Sequence, residues 1–202
     1  MDKRKRYRQM TKISSACVYC GTGHKVSQIY KDMAARLGQV MAAEKVRLVY
    51  GGGRVGLMGI VSQSCFAAGG EVVGIIPEHI QDKEVTNDDV TEMYIVDSMH
   101  TRKKMMVDKS EGFIVLPGGF GTLDETFEIL TWKYLGLHDK PVVFLNVEGF
   151  YNPLMQMVDH MVDSGFTPFW HRSLYQLVDT PEDAIVALSS QTKHIRPDIK
   201  HL

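Results

Sequence analysis

The chain has 202 residues, of which 44% are hydrophobic and 23% are charged. That length suits a single domain, and that composition suits a chain with a buried core rather than a disordered one. The formal net charge of −1 excludes a strongly basic protein, so we expect no nucleic-acid partner. No apolar run approaches the roughly 18 residues of a membrane-spanning helix, so we expect no membrane partner either.

Basic residues are concentrated at the N-terminus. Residues 1–12 carry six basic side chains against one acidic residue, Asp2. We interpret residues 1–11 as a basic, mobile arm and residues 191–202 as a polar tail, because short terminal runs of charge are usually solvated. Three cysteines are too few, and odd in number, for a disulfide framework, and no secretion signal is recognisable. We therefore predict a soluble, cytoplasmic protein.

From Ile13 onward, short β-branched runs alternate with segments of helical period. The clearest helix is expected over residues 27–44, and further helices are expected over residues 151–163 and directly after Thr180-Pro181, a cap residue followed by proline. Consecutive apolar positions within the strand segments are typical of a parallel sheet that is covered on both faces. Strands are predicted at residues 13–19, 47–50, 71–76, 93–96, 113–116 and 142–147. The sequence thus predicts one doubly wound α/β domain over residues 12–190.

Three glycine-rich loops each follow a predicted strand and precede a predicted helix. They span residues 20–23, 51–59 and 117–122. Glycine allows a ligand to approach the backbone N–H groups closely, and the start of the following helix favours an anion. Three such loops at one edge of a sheet therefore suggest a phosphorylated ligand, although glycine also serves simply to make tight turns.

Several well-known site motifs are absent from this sequence, or occur in a position that does not suit their usual function. The G-x-G-x-x-G formed by Gly51, Gly53 and Gly56 follows the second predicted strand, whereas the dinucleotide fingerprint belongs after the first. A Walker phosphate loop, an H-E-x-x-H zinc motif and a G-x-S-x-G elbow are absent from the sequence. The C-x-x-C of Cys17 and Cys20 lies at the end of a strand, where side chains three positions apart point to opposite faces. We therefore expect no metal and no redox couple.

The remaining polar residues follow the fourth strand and the third glycine loop. They are Arg102 and Lys103 in the first group, and Thr122, Asp124 and Glu125 in the second. Thr122 and Glu125 stand one helical turn apart, which suits a shared site but equally suits a capping box in which Glu125 bonds the Thr122 N–H. Arg102 and Lys103 could likewise lie on a solvated helix face.

Four segments resemble the LOG ("lonely guy") phosphoribohydrolases that activate cytokinins. They are GGGRVGLMG at 51–59, MHTRK at 99–103, LPGGFGTLDE at 116–125 and TWKYLGLHDKP at 131–141. The resemblance runs from about Ile13 to Thr180. It implies a Rossmann-like fold and departs from the usual family pattern at Thr22 and Asp124, where Ser and Glu are common. Such proteins are often labelled lysine decarboxylases, but no motif in this sequence supports that activity.

The resemblance implies hydrolysis of the N-glycosidic bond of AMP or of an N6-modified AMP, with no metal and no organic cofactor. It also implies a homodimer or a larger assembly, with residues of both subunits near the pocket. Arg102 and Glu125 take the catalytic positions of the family. The substrate-binding positions are taken by Glu84, Lys103, Gly118, Gly119, Gly121, Thr122 and Thr131.

Two alternative functions stay open at this point. One is a general purine 5′-nucleotide nucleosidase for salvage, and the other is a non-catalytic carrier of nucleotides or of molybdenum cofactor with the same fold. In the hydrolase hypothesis, the amides of residues 118–122 hold the 5′-phosphate, while Arg102 orients the nucleotide. Glu125 then stabilises an oxocarbenium-like ribose and activates water.

Overall fold

A sheet of seven parallel strands lies at the centre of the computed structural model, which describes residues 12–80 and 89–190. The order across the sheet is β4-β3-β2-β1-β5-β6-β7, and every neighbouring pair runs parallel. The doubly wound α/β prediction is therefore confirmed. The strands are β1 (Ser15–Tyr19), β2 (Arg47–Tyr50), β3 (Val72–Pro77), β4 (Glu92–Val96), β5 (Gly112–Val115), β6 (Val142–Leu145) and β7 (Gln176–Val178).

Helices cover both faces of the sheet. Within the described residues they are α1 (Gln28–Ala43), α2 (Gly56–Ala67), α3 (Met99–Asp108), α4 (Phe120–Leu135), α5 (Asn152–Asp163) and α6 (Pro181–Ser189). Helices α1, α2 and α6 contribute to one hydrophobic cluster, and α3, α4 and α5 contribute to the other. The fully buried strands β1, β3, β5 and β6 separate the two clusters, as the continuous apolar runs predict.

Six of the seven strands match predicted segments, with ends shifted by up to two residues. The strand β7 was not predicted, because it has three residues at the edge of the sheet and lacks a buried apolar run. The predicted cap of α6 is confirmed, since the Thr180 hydroxyl accepts a hydrogen bond from the Asp183 N–H at 3.1 Å.

The sheet order places a switch point between β1 and β5. The chain moves outward through β2, β3 and β4 on one side of β1, and through β5, β6 and β7 on the other. The loops that leave the carboxyl ends of β1 and β5 therefore diverge and leave a crevice between them, where doubly wound proteins bind ligands.

Some predictions fall outside the described residues. They concern the basic arm at 1–11, the tail at 191–202 and Glu84, which belongs to the undescribed stretch 81–88. Within residues 12–80 and 89–190, no helix combines the length and the apolar character that crossing a bilayer requires.

Candidate active site

A cavity of about 560 Å³ opens at the switch point. Its walls come from the loops after β1, β2 and β5 and from the first turns of α3 and α4. The volume lies in the range of pockets that hold small molecules and cofactors. Predicted site residues that line the cavity are Arg102, Gly118, Gly119, Gly121, Thr122 and Glu125.

The loop after β5 is fixed by hydrogen bonds from two sides. The Gly21 N–H donates to the Pro117 carbonyl at 3.0 Å, and the Tyr151 hydroxyl donates to the Leu116 carbonyl at 2.6 Å. The Leu57 N–H, at the start of α2, in turn donates to the Gly21 carbonyl at 3.0 Å. The loop after β1 is thus held between the other two glycine loops, which gives the crevice a defined shape before any ligand enters.

Helix α4 begins inside the third glycine loop. Its N-cap is Gly119, and no side chain bonds the cap, so Thr122 stands within the first turn rather than at the cap. A capping box would require Thr122 as the N-cap, and that interpretation is therefore wrong. The first amides of a helix have no acceptor in a preceding turn, so α4 presents N–H groups and the positive end of its dipole to the cavity.

The glycines of this loop have different surroundings. A Cβ on Gly118 would overlap the Thr122 side chain, so the protein's own packing requires glycine there. A Cβ on Gly119 or on Gly121 would meet no atom within 4 Å. Both residues line the cavity. Because glycine has no side chain, each of them leaves open space that no other part of the described chain fills.

Arg102 is buried, with only 4% of its surface exposed. Its Nη2 donates to the Gly51 carbonyl at 2.7 Å, and its Nε donates to the Ile75 carbonyl at 3.2 Å. The solvated-face interpretation is therefore wrong for Arg102. Backbone carbonyl groups at the ends of β2 and β3 thus hold the guanidinium of Arg102 at the wall of the cavity. The guanidinium supplies a positive charge there, because an arginine stays protonated in proteins.

Glu125 lies on α4 at the cavity wall, half-buried. The negative charge of Glu125 influences two side chains of β1, Cys17 and Tyr19. Burial, followed by the negative charge of Glu125, raises the pKa of the Cys17 thiol well above its usual value. Burial also raises the pKa of the Tyr19 phenol, with the Cys17 and Glu125 charges adding to the shift. Both groups are therefore neutral at neutral pH, and Cys17 lacks the thiolate character of a reactive nucleophile.

Lys103 and Thr131 do not line this cavity. The Lys103 ammonium lies 3.3 Å from an Asp124 carboxylate oxygen and 3.1 Å from one of Glu128. Thr131 is exposed on α4, almost two turns beyond Glu125. Within a single chain, the structure brings together the predicted catalytic pair, Arg102 and Glu125, and the glycine loop, but it leaves Lys103 and Thr131 outside the cavity.

Other cavity residues were not singled out from the sequence. Three methionines line the cavity together with Arg102, and an aromatic pair with ring centroids 6.0 Å apart also lines it. They come from helix faces and loops whose pattern indicates only core packing, so no signal in the sequence distinguishes them. These residues are Met58, Met99, Met106, Tyr30 and Phe150.

The fold and the site define a class of protein: a Rossmann-like α/β protein with a glycine-rich loop that begins a helix at its switch point and with an arginine and a glutamate on the cavity wall. Residues 58–188 match a family model described as "Possible lysine decarboxylase". Taken together with the relatives described next, this match shows that the chain belongs to the LOG family, and the resemblance noted from the sequence is confirmed.

Two plant relatives illustrate the match. A probable cytokinin riboside 5′-monophosphate phosphoribohydrolase of Oryza sativa subsp. japonica is 45% identical over 172 residues, which cover 85% of this chain and 70% of that protein. A cytokinin riboside 5′-monophosphate phosphoribohydrolase of Arabidopsis thaliana is 48% identical over 158 residues, covering 77% of this chain and 73% of that protein.

Solved structures support the fold. The molybdenum cofactor carrier protein of Chlamydomonas reinhardtii aligns with a TM-score of 0.65 at 21% identity, over 86% of this chain and 94% of that one. The molybdenum cofactor binding protein of Rippkaea orientalis aligns with a TM-score of 0.64 at 24% identity, over 85% and 92% of the two chains. At these identities the likeness concerns the fold alone.

Proposed function

We propose that this chain hydrolyses the N-glycosidic bond of cytokinin riboside 5′-monophosphates, releasing the free base and ribose 5-phosphate. One observation carries the proposal: Arg102 and Glu125 line the same cavity as the glycine loop at the start of α4. The plant relatives named for this reaction, at 42–48% identity, support it.

The 5′-phosphate binds at the start of α4. Gly119 and Gly121 leave room for its oxygens, and the amides of the first turn donate to them. A phosphate in such a position contributes about 0.3 to 2 kcal/mol of binding. This contact fixes the position of the ribose but breaks no bond.

Glu125 acts on the sugar. As the bond from C1′ to the base nitrogen breaks, the bonding electron pair leaves with the base and positive charge develops on the ribose. The Glu125 carboxylate stabilises that charge and takes a proton from the water whose oxygen bonds to C1′, while the base acquires a proton. Arg102 orients the nucleotide through its guanidinium and balances the charges, since a guanidinium carries a fixed positive charge and does not act as a proton donor.

The methionine-lined wall supports an N6-substituted base. Met58, Met99 and Met106 offer polarizable, adaptable surface beside Arg102. Each buried methylene of an N6 chain contributes about 0.8 kcal/mol. We therefore expect a higher kcat/KM for N6-isopentenyl AMP than for AMP, whereas a general purine nucleotide nucleosidase would show the reverse order.

We also propose a homodimer. Phe127, Thr131 and Leu135 follow one another at intervals of four along α4, and both apolar members are exposed, at 40% and 51%. Such a stripe suits a second copy of the chain, which would bring Thr131 and Lys103 toward the partner's cavity. The test is the mass in solution by light scattering: native protein should be dimeric or larger, and Leu135→Glu should release monomers.

The carrier alternative rests on fold likeness alone. A purified carrier would bind a nucleotide without releasing sugar. The deciding experiment is to incubate the protein with AMP and with N6-isopentenyl AMP and to measure ribose 5-phosphate as a reducing sugar.

We propose, in addition, that the protein acts in the cytoplasm and has no nucleic-acid partner, since the composition favours both.

A further inference from the structure

A second, smaller groove of about 260 Å³ lies next to the substrate cavity. It runs between the segment that leads into α1 and the start of α2. Gly23 and Val26 line both spaces, so the groove and the cavity are neighbours across the loop that follows β1.

Three basic side chains from separate parts of the chain line this groove. They are His24 in the loop after β1, Lys31 on α1 and Arg54 in the loop after β2. Acidic side chains are absent from its lining. Two of the three, Lys31 and Arg54, are side chains of the cationic type that binds phosphate groups.

Among residues 12–80 and 89–190, Lys31 and Arg54 lack ion-pair partners, unlike some other basic residues on the surface. Arg47, for example, lies 2.7 Å from a Glu71 carboxylate oxygen, and Lys104 pairs with Asp108 on the same helix. Unpaired positive charges held close together in a groove repel one another, and this repulsion is unfavourable for the free protein. A bound anion would relieve the repulsion.

The groove is separate from the phosphate position at α4. The loop after β1 lies between them, because Gly21 bonds Pro117 on one side and Leu57 on the other. An anion in the groove therefore uses Lys31 and Arg54, whereas the substrate phosphate uses the amides of α4.

We propose that the groove lined by His24, Lys31 and Arg54 binds a second phosphate-class anion beside the substrate phosphate. The anion is free inorganic phosphate or another small phosphate-class ion, because the loop after β1 keeps the groove apart from the position at α4. The assignment of the first phosphate to α4 rests on the proposed function, but the groove itself does not.

The test is calorimetric titration of the full chain with inorganic phosphate and with pyrophosphate, neither of which contains a glycosidic bond. The groove variant carries the two substitutions Lys31→Gln and Arg54→Gln together. The control is Lys45→Gln/Lys104→Gln, which removes the same two charges from exposed positions that do not line the groove. We expect two phosphate ions per native chain and per control chain and one per groove-variant chain, with the same loss of one site for pyrophosphate.

The proposal is overturned if the groove variant binds both probes as the native protein does, or if the control variant loses as much affinity, since a general field would then be responsible. Loss of hydrolysis in the native protein with anion binding intact would instead contradict only the proposed function.

Discussion

The guanidinium of Arg102 occupies the space that a side chain on residue 51 would need. Its Nη2 donates to the Gly51 carbonyl at 2.7 Å, and a Cβ built on Gly51 would overlap that nitrogen. The second glycine loop thus serves in part to seat a cation at the cavity wall. Glycine at this position is explained by the arginine, without reference to any ligand.

Gly51→Ala should therefore impair catalysis by displacing Arg102. Displacement of a positioning group by about 1 Å costs on the order of 10²-fold in rate. We expect kcat/KM for N6-isopentenyl AMP to fall by at least that factor, with the circular dichroism spectrum retained. Arg102→Lys should show a similar loss, because a lysine cannot reach both carbonyls with a planar fork. Full activity in Gly51→Ala would mean that the position of Arg102 is not critical.

Glu125→Gln should lower kcat by about 10² or more while KM changes little, since a positioned acid–base group contributes about 10² to 10⁴ in rate. The measurement is steady-state release of ribose 5-phosphate. Glu182→Gln is the matched control: Glu182 lies in a helix, pairs with Arg36 and does not line the cavity. Equal losses in the two variants would contradict a specific role for Glu125.

Gly121→Ala and Gly118→Ala should separate ligand binding from packing. A Cβ at position 121 has open space and lies in a helical turn, so thermal unfolding should show a gain of up to about 1 kcal/mol. The same methyl group enters the proposed phosphate space, so KM should rise at least tenfold. Gly118→Ala should instead lower stability, because its Cβ overlaps Thr122. An unchanged KM in Gly121→Ala would remove the phosphate from this loop.

Stability should fall as the pH decreases below about 6.5. Burial lowers the pKa of His138, whose Nε2 bonds the Ile129 carbonyl at 2.8 Å, and burial also lowers the pKa of His171. Near pH 6 the unfolded chain thus binds more protons than the folded one, so the free energy of unfolding rises with pH. The slope is at most about 1.4 kcal/mol per pH unit for each histidine. Urea titrations at pH 7.5, 6.5 and 5.5 should show a smaller decrease for His138→Gln than for the native chain; equal decreases would contradict the assignment.

The sequence predicts the architecture well because parallel strands covered on both faces leave an unmistakable apolar pattern. It predicts β7 poorly, since a strand of three half-exposed edge residues carries almost no such pattern. The boundary of α4 was also ambiguous, because T-x-x-E is a start signal in sequence terms, whereas the structure places the cap three residues earlier, at Gly119.

For the candidate site, the family resemblance pointed to the loop, the glutamate and the arginine, but the sequence could not indicate how deeply Arg102 is buried. Helix α3 has no amphipathic pattern that would distinguish Arg102 from Lys103, yet one is buried in the cavity wall and the other pairs with carboxylates on α4. Arg102 is buried because it bonds carbonyl groups at the ends of β2 and β3, and Lys103 has no such partners among the residues that the structure describes. Backbone partners of this kind cannot be recognised in the sequence.

The most direct test of the central claim is product analysis after incubation of the purified chain with N6-isopentenyl AMP. Chromatography should detect free N6-isopentenyladenine and ribose 5-phosphate in equal amounts, with the phosphate still attached to the sugar and with formation of both products strongly reduced in Glu125→Gln. Release of inorganic phosphate with an intact riboside, or recovery of unchanged nucleotide, would contradict N-glycosidic hydrolysis by this cavity.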